Sequence, residues 1–239
     1  MSERFASHDP GRGDTAGTPW RGRTLPAGMP DQDAGGADPA LIAAVARPQE
    51  EAELVAAVAR ARLLVPIVAM PGAQASSDMA AVTLTAPDGQ RALPMFSSVS
   101  AMGDWDGRAR PVPVSAQRAA VAAVQEGCAL LVLDPGSPRS VTLRGSMMWA
   151  LAQARQWRPA YQEPLVRAAV ESAVTGEPNV AAACARPGEH GALLVELAVT
   201  AGLDRDEVDE LVRRVGERVA SDEDVRARID SMRFRLRTA

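Results

Sequence analysis

The apolar run Cys128–Leu133 ends in Asp134-Pro135-Gly136-Ser137-Pro138, and this pairing constrains the fold more than any other feature of the chain. A short continuous apolar segment closed by turn residues reads as a buried strand. Proline followed by glycine specifies a type II turn, so Ser140–Leu143 is expected to return as a paired strand. Ser146 is expected to cap a helix over Met147–Gln156. A buried strand, a tight turn and a helix together require a sheet covered by helices.

The chain on either side fits that scheme. Asp38 with Pro39 opens a helix to Arg47, and Pro48 opens another to about Arg62. Glu50, Glu51 and Glu53 in its first turn, with Arg60 and Arg62 in its last, follow the order the helix dipole favours. Those glutamates are accounted for without a metal. Leu63–Ala69 reads as a strand. Met79–Thr85 and Arg91–Phe96 form a hairpin about Pro87-Asp88-Gly89-Gln90. A short helix is expected over Ser97–Trp105, a short strand over Pro111–Val114, and a helix over Ser115–Gln125 with Val121 and Val124 inward.

Beyond Pro164 a second lobe begins. Val180–Ala185 and Leu193–Val199 read as strands joined by Pro187-Gly188-Glu189-His190-Gly191. Asp204 and Glu207 form a capping box ahead of Val208, Leu211, Val212, Val215 and Val219, and Glu210 pairs with Arg214 on the wet side. Met232, Phe234 and Leu236 alternate with Arg233, Arg235 and Arg237, the period of a half-buried strand. The expected fold is α/β (α+β): two small mixed sheets with helices packed on them. Residues 1–37 are an expected disordered tail, since Gly, Pro, Asp and Ser without periodicity cannot bury enough apolar surface. Residues 38–158 and 159–239 are the two expected domains.

Residue types then narrow the chemistry. All 26 basic residues are arginine, so there is no lysine for a Schiff base or a Walker-type loop. Of two histidines, His8 falls in the tail and His190 in a hairpin turn, where neither is held for a catalytic triad. Cys128 and Cys184 sit in apolar runs and read as reduced, buried residues; with so few Cys and His, a zinc site is not expected. Gly11-Arg12-Gly13 lacks the preceding strand of a dinucleotide fingerprint, and Arg12-Gly13-Asp14 is a coincidence of composition. A net charge of −4 argues against a dedicated nucleic-acid binder. No leader or membrane-length apolar segment is read, so a cytoplasmic protein is expected. The sequence thus supplies no catalytic residue, metal ligand or cofactor site, and points away from an enzyme.

Three surfaces remain. Phe96, Ser97, Trp105, Asp134 and Ser137 are the candidate ligand or partner surface, because the Asp134 turn follows the carboxyl end of a buried strand, where α/β sheets bind ligands. Asp104 and Asp106 flank Trp105 and are placed to flank a ligand stacked on the indole. Arg233, Arg235 and Arg237 are a candidate anion or partner strand, open to phosphate or RNA backbone.

The order of several segments points further. Leu64-Val65-Pro66 is followed by the Asp88-Gly89 turn into Leu93-Pro94-Met95-Phe96-Ser97-Ser98. Trp105, then Leu131-Val132-Leu133-Asp134-Pro135-Gly136-Ser137-Pro138, then Met148-Trp149-Ala150-Leu151-Ala152 complete it. This order resembles the N-terminal domain of the SseB or "enhanced serine sensitivity" family, in its actinobacterial form, over residues 38 to 158. The second lobe is similar to the C-terminal domain accompanying it. The resemblance implies an α/β fold, a bacterial cytosolic protein and a link to serine or sulfur amino-acid metabolism. It implies no active-site residues. The leading expectation is a binding or regulatory module with a protein partner. The alternatives are a small-molecule sensor or enzyme at the Trp105–Asp134 pocket, and RNA or ribosome association through the arginine strand.

Overall fold

The computed structural model describes residues 35–69, 79–86 and 89–239. The expected tail before Gly35, with His8 and the two motif strings, lies outside the described residues, as does Pro87-Asp88 of the hairpin turn. Gly35 and Gly36 are already engaged, their carbonyls accepting from the Val99 N–H at 2.9 Å and the Arg62 guanidinium at 3.0 Å. Gly35–Ala239 forms one compact unit.

The first half runs α1 (Pro39–Val45), α2 (Glu51–Arg60), β1 (Arg62–Ala69), β2 (Met79–Ala81), β3 (Leu84–Thr85), β4 (Arg91–Met95), α3 (Val99–Trp105), β5 (Arg110–Ser115), α4 (Ala116–Gln125), β6 (Leu130–Leu133), β7 (Val141–Leu143) and α5 (Gly145–Ala152). The second runs α6 (Pro164–Ala173), β8 (Val180–Pro187), β9 (Leu193–Val199), α7 (Arg205–Val219), α8 (Glu223–Arg226) and β10 (Met232–Thr238). Among the described residues, no helix is long and apolar enough to cross a membrane.

The α/β class holds, with three sheets rather than two among the described residues. One has the order β3-β4-β6-β7, with β4 and β6 parallel at its centre; another has the order β2-β1-β5, all antiparallel. The expected strand Met79–Thr85 is split between them, β2 pairing with β1 and β3 with β4. Reciprocal hydrogen bonds between Leu64 and Phe96, at 2.8 and 2.9 Å, stitch the two sheets together just past the end of β4. The third sheet, β10-β9-β8, has β8 antiparallel and β10 parallel to β9.

Helices α1, α2, α4 and α5 bury Leu41, Leu54, Val58 and Met147 with Leu63, Leu93, Leu131 and Leu133 from the strands. The α4 face that enters this core is Ala116, Ala119, Ala120 and Ala123, while Val121 is exposed and Val124 only packs at the margin. The expected valine face is therefore turned away. Alanines let the helix axis approach the sheet closely, and close packing over the whole face outweighs the larger transfer energy of single valines. Cys128 is buried, and burial raises its thiol pKa. Cys184 departs from the expectation: it is half-buried, on the sheet face away from α7, with its Sγ 3.9 Å from Glu196 Oε1.

In the second half Leu193, Val195 and Leu197 of β9 pack on Val166 and Val170 of α6 and Leu211, Val215 and Val219 of α7. The Asp204–Glu207 capping box forms, and Arg214 reaches Glu210 at 3.3 Å and the buried Glu177 at 2.9 Å. Arg214 beside Glu177 holds that carboxyl below its usual range. Gly216 lies against Met232 and Phe234, where an added Cβ would stand 3.6–3.7 Å from their side chains, an ordinary contact. A helix-interior glycine carries excess unfolded-state entropy, so Gly216→Ala should stabilise the protein by about 0.5–1 kcal/mol. Urea unfolding of the two proteins checks this, and a loss of stability would show that the contact is already closed.

Candidate functional site

Strands β4 and β6 run parallel and end side by side. Beyond β4 the chain enters α3 through Ser97 and Ser98; beyond β6 it enters the Asp134 turn. The expected type II turn is present: Ser137 N–H donates to the Asp134 carbonyl at 3.2 Å and Gly136 has φ 78°, the left-handed value that glycine adopts without strain. Asp134 itself has φ 48°, a conformation that costs an L-residue energy and needs compensation. Its N–H donates to the Met95 carbonyl at 2.8 Å, while its carboxylate accepts from the Ser97 N–H at 2.8 Å and the Ser97 hydroxyl at 2.7 Å. One residue therefore ties together the carboxyl ends of both parallel strands.

The tie forms one end of a groove of about 720 Å³. Ser97, Trp105, Asp134 and Ser137 line it, with Asp104, Pro135, Pro138 and Arg139 along its sides. Phe96 lies beneath rather than in it: the ring is 0% exposed and packs with Leu64 and Met102, its centroid 5.3 Å from that of Trp105 at a tilt of 42°. Trp105 is half-buried, so the indole both covers this small cluster and borders the groove. Asp104 faces the groove as well. Asp106 does not, because Arg108 draws it away; its Oδ1 accepts from Arg108 N–H at 2.9 Å and Nε at 3.3 Å, which lowers its pKa.

The chemistry of the groove follows from exposure. Ser97 is 3% and Asp134 5% exposed, with the serine hydroxyl donating inward to the carboxylate. The Ser97 hydroxyl is held by the Asp134 carboxylate, and among the described residues no histidine lines the groove. What the groove offers outward is an indole edge, two prolines, the Ser98 and Ser100 rim, and one charge of each sign in Asp104 and Arg139.

A second arrangement lay beyond sequence reasoning, since its members come from distant segments. Arg144 holds Glu51 with both terminal nitrogens, at 2.5 and 2.9 Å, and Asp230 through Nε at 2.9 Å. These carboxylates, Glu51 above all, raise its pKa. Asp230 also accepts from Ser146 N–H and from Ser146 Oγ, both at 2.7 Å, and Trp157 Nε1 donates to that same Oγ at 3.1 Å. The expected cap role of Ser146 thus fails. It lies inside the first turn of α5, whose N-cap is Arg144, and Asp230 from the other half of the chain satisfies its N–H. A carboxylate is the group that a helix N-terminus attracts. A cavity of about 930 Å³ with Trp149 and His190 among its lining borders this joint, but the polar groups at its centre hold one another.

Arg233, Arg235 and Arg237 lie together on β10, remote in sequence and sheet from the groove. Among the described residues no cluster of His, Cys, Asp and Glu suited to a metal ion occurs.

The described architecture defines the class: a small mixed α/β protein in which two parallel strand ends and a strained aspartate turn shape an open groove. Residues 38–150 match the family model of the SseB protein N-terminal domain. No match was found among curated proteins or among solved structures.

Two substitution series separate the ties. Asp134→Ala loses two charge-assisted hydrogen bonds and keeps the positive φ, which should cost about 3 kcal/mol. Asp134→Asn should cost under about 1 kcal/mol, since asparagine tolerates the left-handed region and keeps an acceptor, and Asp134→Gly should fall between. At the joint, Asp230→Ala should cost about 2–3 kcal/mol. Denaturant unfolding measures both, and equal losses at Asp134 for Asn and Ala would remove the hydrogen-bond account.

Proposed function

We propose that the protein is a binding and regulatory module of the bacterial cytoplasm. Its groove between α3 and the Asp134–Arg139 turn takes an extended segment of a protein partner. The burial of Ser97 and Asp134 against each other carries this reading: the reactive-looking residues are used to shape the groove, and the surface left facing outward is one that recognises. A half-exposed tryptophan beside two prolines suits an apolar side chain of an extended peptide, and tryptophan dominates many interfaces. The Asp104, Arg139 and serine rim suits its backbone and polar groups. The serine link in the family label, with its neighbour sulfur amino-acid metabolism, supports a partner among enzymes of that metabolism. The second half then acts as an accompanying C-terminal domain.

A photo-crosslinking residue placed at Ser100 or Arg139 in the native host tests this. A single protein should cross-link from both sites and not from Glu217, which lies on α7. Trp105→Ala should reduce its recovery at least about tenfold, a loss ordinary for a central tryptophan. Recovery unchanged by Trp105→Ala would overturn the reading. Thermal stabilisation by free L-serine or L-cysteine, lost in Trp105→Ala and without any cross-linked protein, would replace it with a small-molecule sensor.

A further inference from the structure

Among the described residues no strand pairs with the outer edge of β10. In the order β10-β9-β8 it has a neighbour on one side only. Its ladder with β9 is parallel, from Leu193 N–H donating to the Ser231 carbonyl at 2.8 Å to Ala239 N–H donating to the Val199 carbonyl at 2.9 Å. In such a ladder alternate residues point their backbone groups to the neighbour. Residues 231, 233, 235, 237 and 239 therefore bond β9, and the N–H and C=O groups of Met232, Phe234, Leu236 and Thr238 point outward.

Side chains alternate in the perpendicular direction. Met232 and Phe234 face the core under α7, and Arg233, Arg235 and Arg237 face the opposite side of the sheet. The register adds a fourth cation that sequence pattern did not mark: Arg233 stands across from Leu194, and Leu194 from Arg186 of β8. All four arginines are exposed. Glu196 is the single acid among them on that face, paired with Arg237 at 3.4 Å. Among the described residues Arg233, Arg235 and Arg186 enter no ion pair. In a chain of net charge −4 this is a locally cationic sheet face beside a free strand edge.

We propose that β10 receives, as a fourth strand, an extended segment of a partner protein with acidic residues at alternate positions. Backbone groups of Met232, Phe234, Leu236 and Thr238 hold its main chain, and Arg233, Arg235 and Arg237 hold its carboxylates. The geometry suits this because alternate side chains on any strand recur at about 6.6–6.8 Å, so acids on the added strand fall opposite the arginines. A second copy of β10 is disfavoured, since arginine would face arginine. RNA is the weaker fit. Leu194, Ala198, Ala182 and Cys184 fill the rest of the face with no aromatic platform for bases, and Glu196 sits where phosphates would pass. The inference stands apart from the groove.

The test is fluorescence anisotropy of the full chain with a labelled peptide alternating Glu and Thr, at low and at physiological salt. It should bind more tightly than a peptide of the same composition with its glutamates in one block. The combined Arg233→Gln, Arg235→Gln and Arg237→Gln variant should bind it roughly tenfold more weakly, the sum of three cross-strand charge pairs. N-methylation of the peptide amides along one edge should abolish binding, and along the other edge should leave it. That arm uses the unaltered protein, so it decides the matter even if the triple variant unfolds. Equal binding of alternating and block peptides, indifference to N-methylation on either edge, tighter binding of oligouridylate, or no binding at low salt would each overturn the proposal.

Discussion

A carboxylate closing on both the N–H and the hydroxyl of one serine occurs twice, and the structure hangs on the pair at the joint. Asp230 grips Ser146 and Arg144 at the start of α5, and Arg144 reaches on to Glu51 of α2. The first turn of α5 has no side-chain cap of its own. The helix therefore completes its N-terminus only when Asp230, two residues ahead of β10, arrives. Trp157 buries its ring in the first core and donates to the same Ser146 hydroxyl, and the Arg144 guanidinium lies 6.0 Å from its ring centroid. Hydrogen bonds to charged groups in a partly dry setting are stronger than neutral ones.

The second pair, Asp134 with Ser97, has a different consequence. It holds a left-handed aspartate at the mouth of two parallel strands and so fixes the turn that walls the groove. Backbone strain at such a place often accompanies function. Here the residues that absorb it are withdrawn from solvent, and the strain serves the shape of a surface. The cluster of Leu64, Phe96 and Met102 supports the other wall by seating Trp105.

Sequence reading served best where a signal is local. The type II turn, the Asp204–Glu207 box, the Asp38 and Ser115 caps and the alternation along β10 need only neighbouring residues. It served worst where a segment had two places to go. Met79–Thr85 reads as one strand, and only the competition of β1 and β4 for partners divides it. Valines outrank alanines on any hydrophobicity scale, yet α4 turns its alanines inward and leaves Val121 exposed. Of the candidate site, Ser97, Asp134 and Ser137 were legible as residues following strand ends and Trp105 by its flanking aspartates; that Phe96 lies beneath them and that Asp106 turns away were not.

The sequence alone determined the α/β class, the Asp134–Ser137 turn, the Asp38, Ser115 and Asp204 caps, and the lack of lysine with only two histidines and two cysteines. These depend on residue type and short spacing. The tertiary structure decided that the first half carries two sheets, that Asp134 and Ser97 meet across 37 positions of chain, and that Asp230 caps a helix 84 positions away. It also set Arg186 beside the β10 arginines. Such meetings depend on which strand lies next to which, and strand order is a property of the whole packed chain, invisible in any local window of residues.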